Sequence, residues 1–230
     1  MGPKLDVLIN DFAVRSFRDV ADGDYIVARM ACRAALVTQF QWSSQQAVEK
    51  FLKCILLLNR VRASNMGHDL GVGLKLLGSR LVLDLSATTK KFIDRLNEYG
   101  QYRYFEFSTE GFGRDLVNLD RAVWELRRYC TLDPQPQQIK LRKGFAAQRV
   151  RIPNGYLEKV IDDVNSPARE PLLWQNGFFG RRARRMVKLR SWFEARNAPL
   201  SLNPQILNEV EKYVFLPKEV RAAYRAHTTP

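Results

Sequence analysis

Three places in this chain hold residue types able to move a proton or grip a phosphate. The first is Arg62-Ala63-Ser64-Asn65-Met66-Gly67-His68, which ends on one of only two histidines. Imidazole exchanges protons near neutral pH and a guanidinium stabilises charge on a phosphate, so Arg62 and His68 have the makings of metal-independent RNA cleavage. The alternative is structural, because His68 stands directly before Asp69 and a short Leu-rich helix and can anchor the start of that helix. The second place is Tyr99, Tyr102-Arg103-Tyr104 and Phe105. A cation among rings at a helix end suits stacking on a base with contact to a phosphate, with Arg103 and Tyr104 as the binding pair. The other reading is an aromatic core edge with Arg103 paired to Glu106.

The third place is Gly180-Arg181-Arg182-Ala183-Arg184-Arg185-Met186-Val187-Lys188-Leu189-Arg190. On a helix, Arg181, Arg182, Arg184, Arg185, Lys188 and Arg190 would present enough cationic groups to track a phosphate backbone. A solvated face partly neutralised by Asp162, Asp163 or Glu170 gives the same composition, as does a helix lying on a membrane surface.

Other chemistries lack their residues. His68 and His227, with Cys32, Cys54 and Cys130 far apart, give no zinc-ligand spacing, so no metal and no cofactor is expected. Gly71-Val72-Gly73 is not followed by the third glycine of a dinucleotide loop, and there is no Walker sequence or nucleophile elbow. Asp22-Gly23-Asp24 is explained by helix capping.

Charge points the same way as the basic run. Of the net +13, residues 1–134 contribute +3 and residues 135–230 contribute +10. Such asymmetry favours a polyanionic partner, because clustered Lys and Arg release counterions from a phosphate backbone. The longest apolar run, Cys54 to Leu58, is far short of the roughly 20 residues needed to cross a bilayer. Asp6 and Asp11 interrupt the place of a signal-peptide core, and the isolated cysteines read as small buried hydrophobes. A cytoplasmic, reducing setting without membrane contact is expected.

The elements that must position these groups are helices. Asp22 or Asp24 can cap a helix to about Gln39, with Ile26, Met30, Ala34 and Val37 at helical spacing. A second begins near Phe40 or at Ser43, with Ala47, Val48, Phe51, Cys54, Ile55 and Leu58 as its core stripe. A third spans 69–81 through Leu70, Leu74 and Leu77. A fourth covers 86–102 through Phe92, Ile93, Leu96 and Tyr99, and a fifth covers 115–129 through Leu116, Leu119, Val123 and Leu126. Short links imply antiparallel neighbours. The polar stretch at 131–138, with Pro134 and Pro136, marks a boundary between a bundle at 1–134 and a basic, mainly helical region at 135–230. Helices are expected there at 155–164, 168–174, 178–196, 204–214 and 217–225, with a short strand at 148–152.

The run Gln46-Ala47-Val48-Glu49-Lys50, then His68-Asp69-Leu70, then Tyr102-Arg103-Tyr104 resembles the HEPN family of small helical bundles. The resemblance spans about residues 24–129. It implies an all-α antiparallel bundle of four to five helices, pairing as a homodimer and binding RNA or nucleotides. Ribonuclease members carry Arg, four to six residues, then His, late in the bundle. Here Arg103, Arg114 and Arg121 have no histidine at that spacing, and Arg62 with His68 sits earlier in the chain. Three functions follow as expectations. The first is an RNA- or nucleotide-binding protein without the usual ribonuclease pair. The second is a toxin-like endoribonuclease using Arg62 and His68, with a nucleotidyltransferase antitoxin as partner. The third is a protein-interaction module.

Overall fold

A computed structural model describes residues 5–101, 109–112, 114–130, 140–141, 155–180 and 193–196. Helix α1 (Leu5–Ala13) runs through a π turn (Val14–Arg18) into α2 (Asp19–Arg33). The helical path therefore begins well before the expected start at Asp22. That aspartate is no cap. It is fully buried in α2, where Arg127 holds it. The helix also stops earlier than Gln39. Ala35 turns left-handed at φ +56°, Leu36 N–H donates to Ala31 O at 2.8 Å and Ala35 N–H to Cys32 O at 3.1 Å, which closes the last turn. Met30 and Ala34, expected inward, are exposed. Ile26 is buried as expected, and the rest of the apolar buried face uses Ala21, Tyr25, Ala28, Ala31 and Cys32.

Helix α3 (Val37–Leu58) starts before Phe40, and Ser43 lies buried inside it instead of capping it. All six residues of the expected stripe are buried, and so are Leu52 and Leu56 on other sides. A helix apolar around most of its circumference must be enclosed, and α3 does pack on both its predecessors and on α4 (Leu70–Gly78), α5 (Ala87–Gln101) and α6 (Asp115–Arg127). Its end repeats the device of α2. Arg60 sits at φ +57° and Val61 N–H donates to Leu56 O at 2.8 Å. From α5 and α6, the residues Phe92, Ile93, Leu96, Leu116, Leu119, Val123 and Leu126 complete the core.

The chain beyond residue 134 enters that same core. Leu157 and Val160 of α7 (Tyr156–Asp162), Leu172 of α8 (Arg169–Leu173), and Phe179 belong to one apolar cluster with α2 and α6. The described fold is mainly helical, with two short antiparallel pairs. β1 (Leu81–Val82) pairs with β3 (Lys140–Leu141), and β2 (Thr109–Phe112) with β4 (Phe193–Arg196). The helix expected at 178–196 is corrected at both described ends: 177–180 form bends and 193–196 a strand. The expected strand at 148–152 and helices at 204–214 and 217–225 lie outside the described residues. No helix among the described residues is long and apolar enough to cross a membrane.

Candidate functional site

Glu49 and Lys53 stand one turn apart on α3, and their side chains meet: Lys53 Nζ donates to Glu49 Oε1 at 2.6 Å. Burial of the Glu49 carboxylate, only 4% exposed, makes that partner necessary, because an unpaired buried charge is costly. His68 reaches the same carboxylate from across the loop, with Nδ1 3.1 Å from each oxygen. Its own side chain is 61% exposed. A carboxylate on Nδ1 assigns the proton of the neutral ring to that nitrogen, which makes Nε2 the acceptor. An oriented imidazole with its acceptor nitrogen away from the supporting carboxylate is the arrangement a general base requires.

The loop that delivers His68 is shaped by two glycines. Gly67 takes φ +56°, turning the chain after the short 3-10 helix Ala63–Met66. At Gly73 a Cβ would lie 2.7 Å from Met66 Sδ, so glycine lets α4 seat on the buried Met66 without moving its thioether. The start of α4 is held by other groups than the imidazole. Asp69 Oδ1 accepts from Val72 N at 3.0 Å and from Asn97 Nδ2 at 3.1 Å, and Asn97 Oδ1 accepts from Leu70 N at 2.7 Å. His68 adds its carbonyl, 3.5 Å from Gln45 Nε2, and its ring contact to Glu49. The cap at the start of α4 thus belongs to Asp69 and Asn97, while the His68 ring joins the preceding residue to Glu49 of α3.

Arg62 is exposed at the start of the 3-10 turn, and no hydrogen bond or ion pair joins it to His68 or Glu49. The structure therefore supplies His68 with a carboxylate and a lysine as neighbours, a pairing that spacing along the chain did not reveal. Arg103, Tyr104, Arg181, Arg182, Arg184, Arg185, Lys188 and Arg190 all lie outside the described residues.

A second charged cluster is centred on Arg127, whose side chain is buried. Arg127 binds Asp22 (Nε to Oδ1, 2.8 Å) and Glu158 (Nη2 to Oε2, 2.6 Å), fastening α6 to α2 and α7. Burial pushes the Asp22 carboxyl above its ordinary range although Arg127 opposes it. At Glu158 burial pushes upward too, but the hydrogen bonds and charge of Arg127 outweigh it and hold the carboxyl below its ordinary range. Among the described residues no group of three or more His, Cys, Asp or Glu could hold a metal ion. No protein-family model, curated protein or solved structure matches the chain.

Proposed function

We propose that this is a HEPN-like protein that binds RNA or nucleotides, works as a homodimer and lacks the usual ribonuclease pair. The supporting observation is where the charge is stored. Among the described residues five carboxylates are buried (Asp22, Glu49, Asp115, Asp120 and Glu125) against three guanidiniums (Arg18, Arg29 and Arg127). Among these described residues the interior takes more acid than base, so their surface is more positive than their composition alone gives. Such a surface attracts phosphate backbones over a Debye length and gains affinity by counterion release. The test is fluorescence anisotropy of the full chain with labelled RNA across a salt series, compared with a variant carrying Gln at Arg181, Arg182, Arg184 and Arg185. Weaker binding for every RNA sequence and a flatter salt slope are expected. Unchanged affinity and slope would remove the basic run from the interface.

One observation favours a second reading, metal-independent RNA cleavage: the exposed imidazole of His68 on the buried Glu49 carboxylate. In that reaction Nε2 takes the proton from a ribose 2′-hydroxyl as the oxygen attacks phosphorus and the 5′-oxygen leaves. Incubation with RNA in a chelator decides it. Cleavage abolished by His68→Ala and by Arg62→Ala, with the fold intact, would replace the non-catalytic reading.

A further inference from the structure

The first three turns of α5 put Thr88, Lys91 and Arg95 on one side at helical spacing, and the start of α6 puts Arg114 and Asn118 opposite them. These residues line a cleft of about 290 Å³ together with Ala87 and Phe92. Three cations share this concave surface. Arg95 pairs with Asp115, a buried residue of α6, and its guanidinium lies 5.6 Å from the centre of the Phe92 ring. That pair joins the two helices and fixes the width of the cleft. Lys91 and Arg114 are both exposed and pair with no carboxylate among the described residues. Thr88 and Asn118 offer a hydroxyl and an amide that make no side-chain hydrogen bond there.

Holding like charges together in a cleft is unfavourable unless something neutralises them, and concave low-dielectric walls focus the field they produce. After the Arg95–Asp115 pair is set aside, two positive charges remain, flanked by two neutral donors. That inventory matches a phosphate group, whose tetrahedral oxygens accept from several donors at once and which carries one negative charge as a backbone diester and up to two as the free anion. Among the described residues no ring is available for a base: Phe92, the one aromatic of the described lining, is 3% exposed. We infer that the α5–α6 cleft is a phosphate-binding site that seats one phosphate of a nucleic-acid backbone without regard to the base attached. The choice of nucleic acid as the source of that phosphate rests on the RNA-binding reading above; the site itself does not.

The experiment is a chemical-shift titration of the labelled full chain with inorganic phosphate, alongside anisotropy with uridine-only and adenosine-only RNA oligomers. Phosphate should shift the amides of 88–95 and 114–118. In Lys91→Gln/Arg114→Gln those shifts should vanish, and both RNAs should lose about tenfold in affinity to the same degree. The charge-preserving Lys91→Arg/Arg114→Lys protein should retain both, which separates lost charge from lost fold. Lys90→Gln, one position away on exposed surface, should change neither. RNA binding untouched by the double Gln variant, with no phosphate shifts in the cleft, would overturn the site and leave the RNA-binding reading standing. Phosphate shifts without RNA binding would do the reverse. An equal loss in Lys90→Gln would also overturn it, since a diffuse field and not a site would then be acting.

Discussion

Arg29 and Asp120 form an ion pair that solvent does not reach, with side chains 0% and 1% exposed. Tyr25 donates its hydroxyl to the same Asp120 oxygen at 2.6 Å and accepts from Asn176 Nδ2 at 2.9 Å, while Arg29 Nε donates to Pro171 O at 3.1 Å. One α2 side chain therefore ties α6 to the segment around α8. Removing one partner leaves the other charge buried alone, so Asp120→Ala should destabilise by about 3–5 kcal/mol. The double variant Arg29→Met/Asp120→Leu should cost far less than the sum of its single changes. Urea denaturation of Asp120→Ala and of the four proteins of the cycle measures both.

A pH dependence follows from Glu158. Arg127 holds its carboxyl below the ordinary range against the effect of burial, so its contribution is present above the unfolded-state value and lost as pH falls through the folded one. Glu158→Gln should cost about 1 kcal/mol at pH 7, a figure discounted because the side chain is 37% exposed. The penalty should shrink below about pH 4. Asp22 works in the opposite sense, since burial raises it, and it stays in both proteins. Thermal melts of wild type and variant at several pH values check the convergence. A penalty constant with pH would mean that the pair is not what Glu158 contributes.

All three cysteines are buried and unpaired. Burial pushes the Cys32 thiol up to about 11 and the Cys130 thiol well above its ordinary value. The thiolate is the reactive form, so native protein at pH 7.5 should resist a thiol-reactive dye for hours, whereas denatured protein should take up three equivalents at once. Mass spectrometry counts the labels. Rapid labelling of a single site in native protein would contradict this burial.

At the start of α4 the structure separates two neighbours. Asp69→Ala removes a cap and a side-chain partner of Asn97, and should cost about 1–2 kcal/mol. His68→Ala, which deletes a largely exposed ring, should cost under about 0.5 kcal/mol. Differential scanning calorimetry of the two variants gives the order. A larger loss for His68→Ala would mean that the ring contact to Glu49, and not the Asp69 cap, holds the start of α4.

The middles of α3, α5 and α6 are legible in the sequence, because Ala47, Val48, Phe51, Ile55, Ile93, Leu96, Leu119 and Val123 repeat at helical spacing and face one core. The ends are not. Ala35 and Arg60 close their helices in a left-handed conformation that normally advertises itself with glycine. The α2 face was misread because its buried side carries Asp22 and Arg29, and a pattern of apolar residues cannot register charges that are satisfied by partners 105 and 91 positions away. Glu49 was hidden for the same reason. Its partner His68 lies across a loop, and the α5–α6 cleft exists only once two helices stand side by side.

The π turn at Val14–Arg18 works as a phase adjuster in a single rod. A wider turn adds one residue to the α-helical count and so rotates everything upstream by about 100° relative to everything downstream. Asn10 and Ala13 are thereby aimed inward, with Asn10 Oδ1 accepting from Arg60 Nη1 at 2.9 Å, while α2 keeps its own facing toward α6 and α7. The two halves of the rod are indexed independently. Deleting one residue from this turn would leave a helix of unchanged propensity whose first half addresses the wrong neighbours, so the length of this segment is constrained more tightly than the identity of its exposed residues.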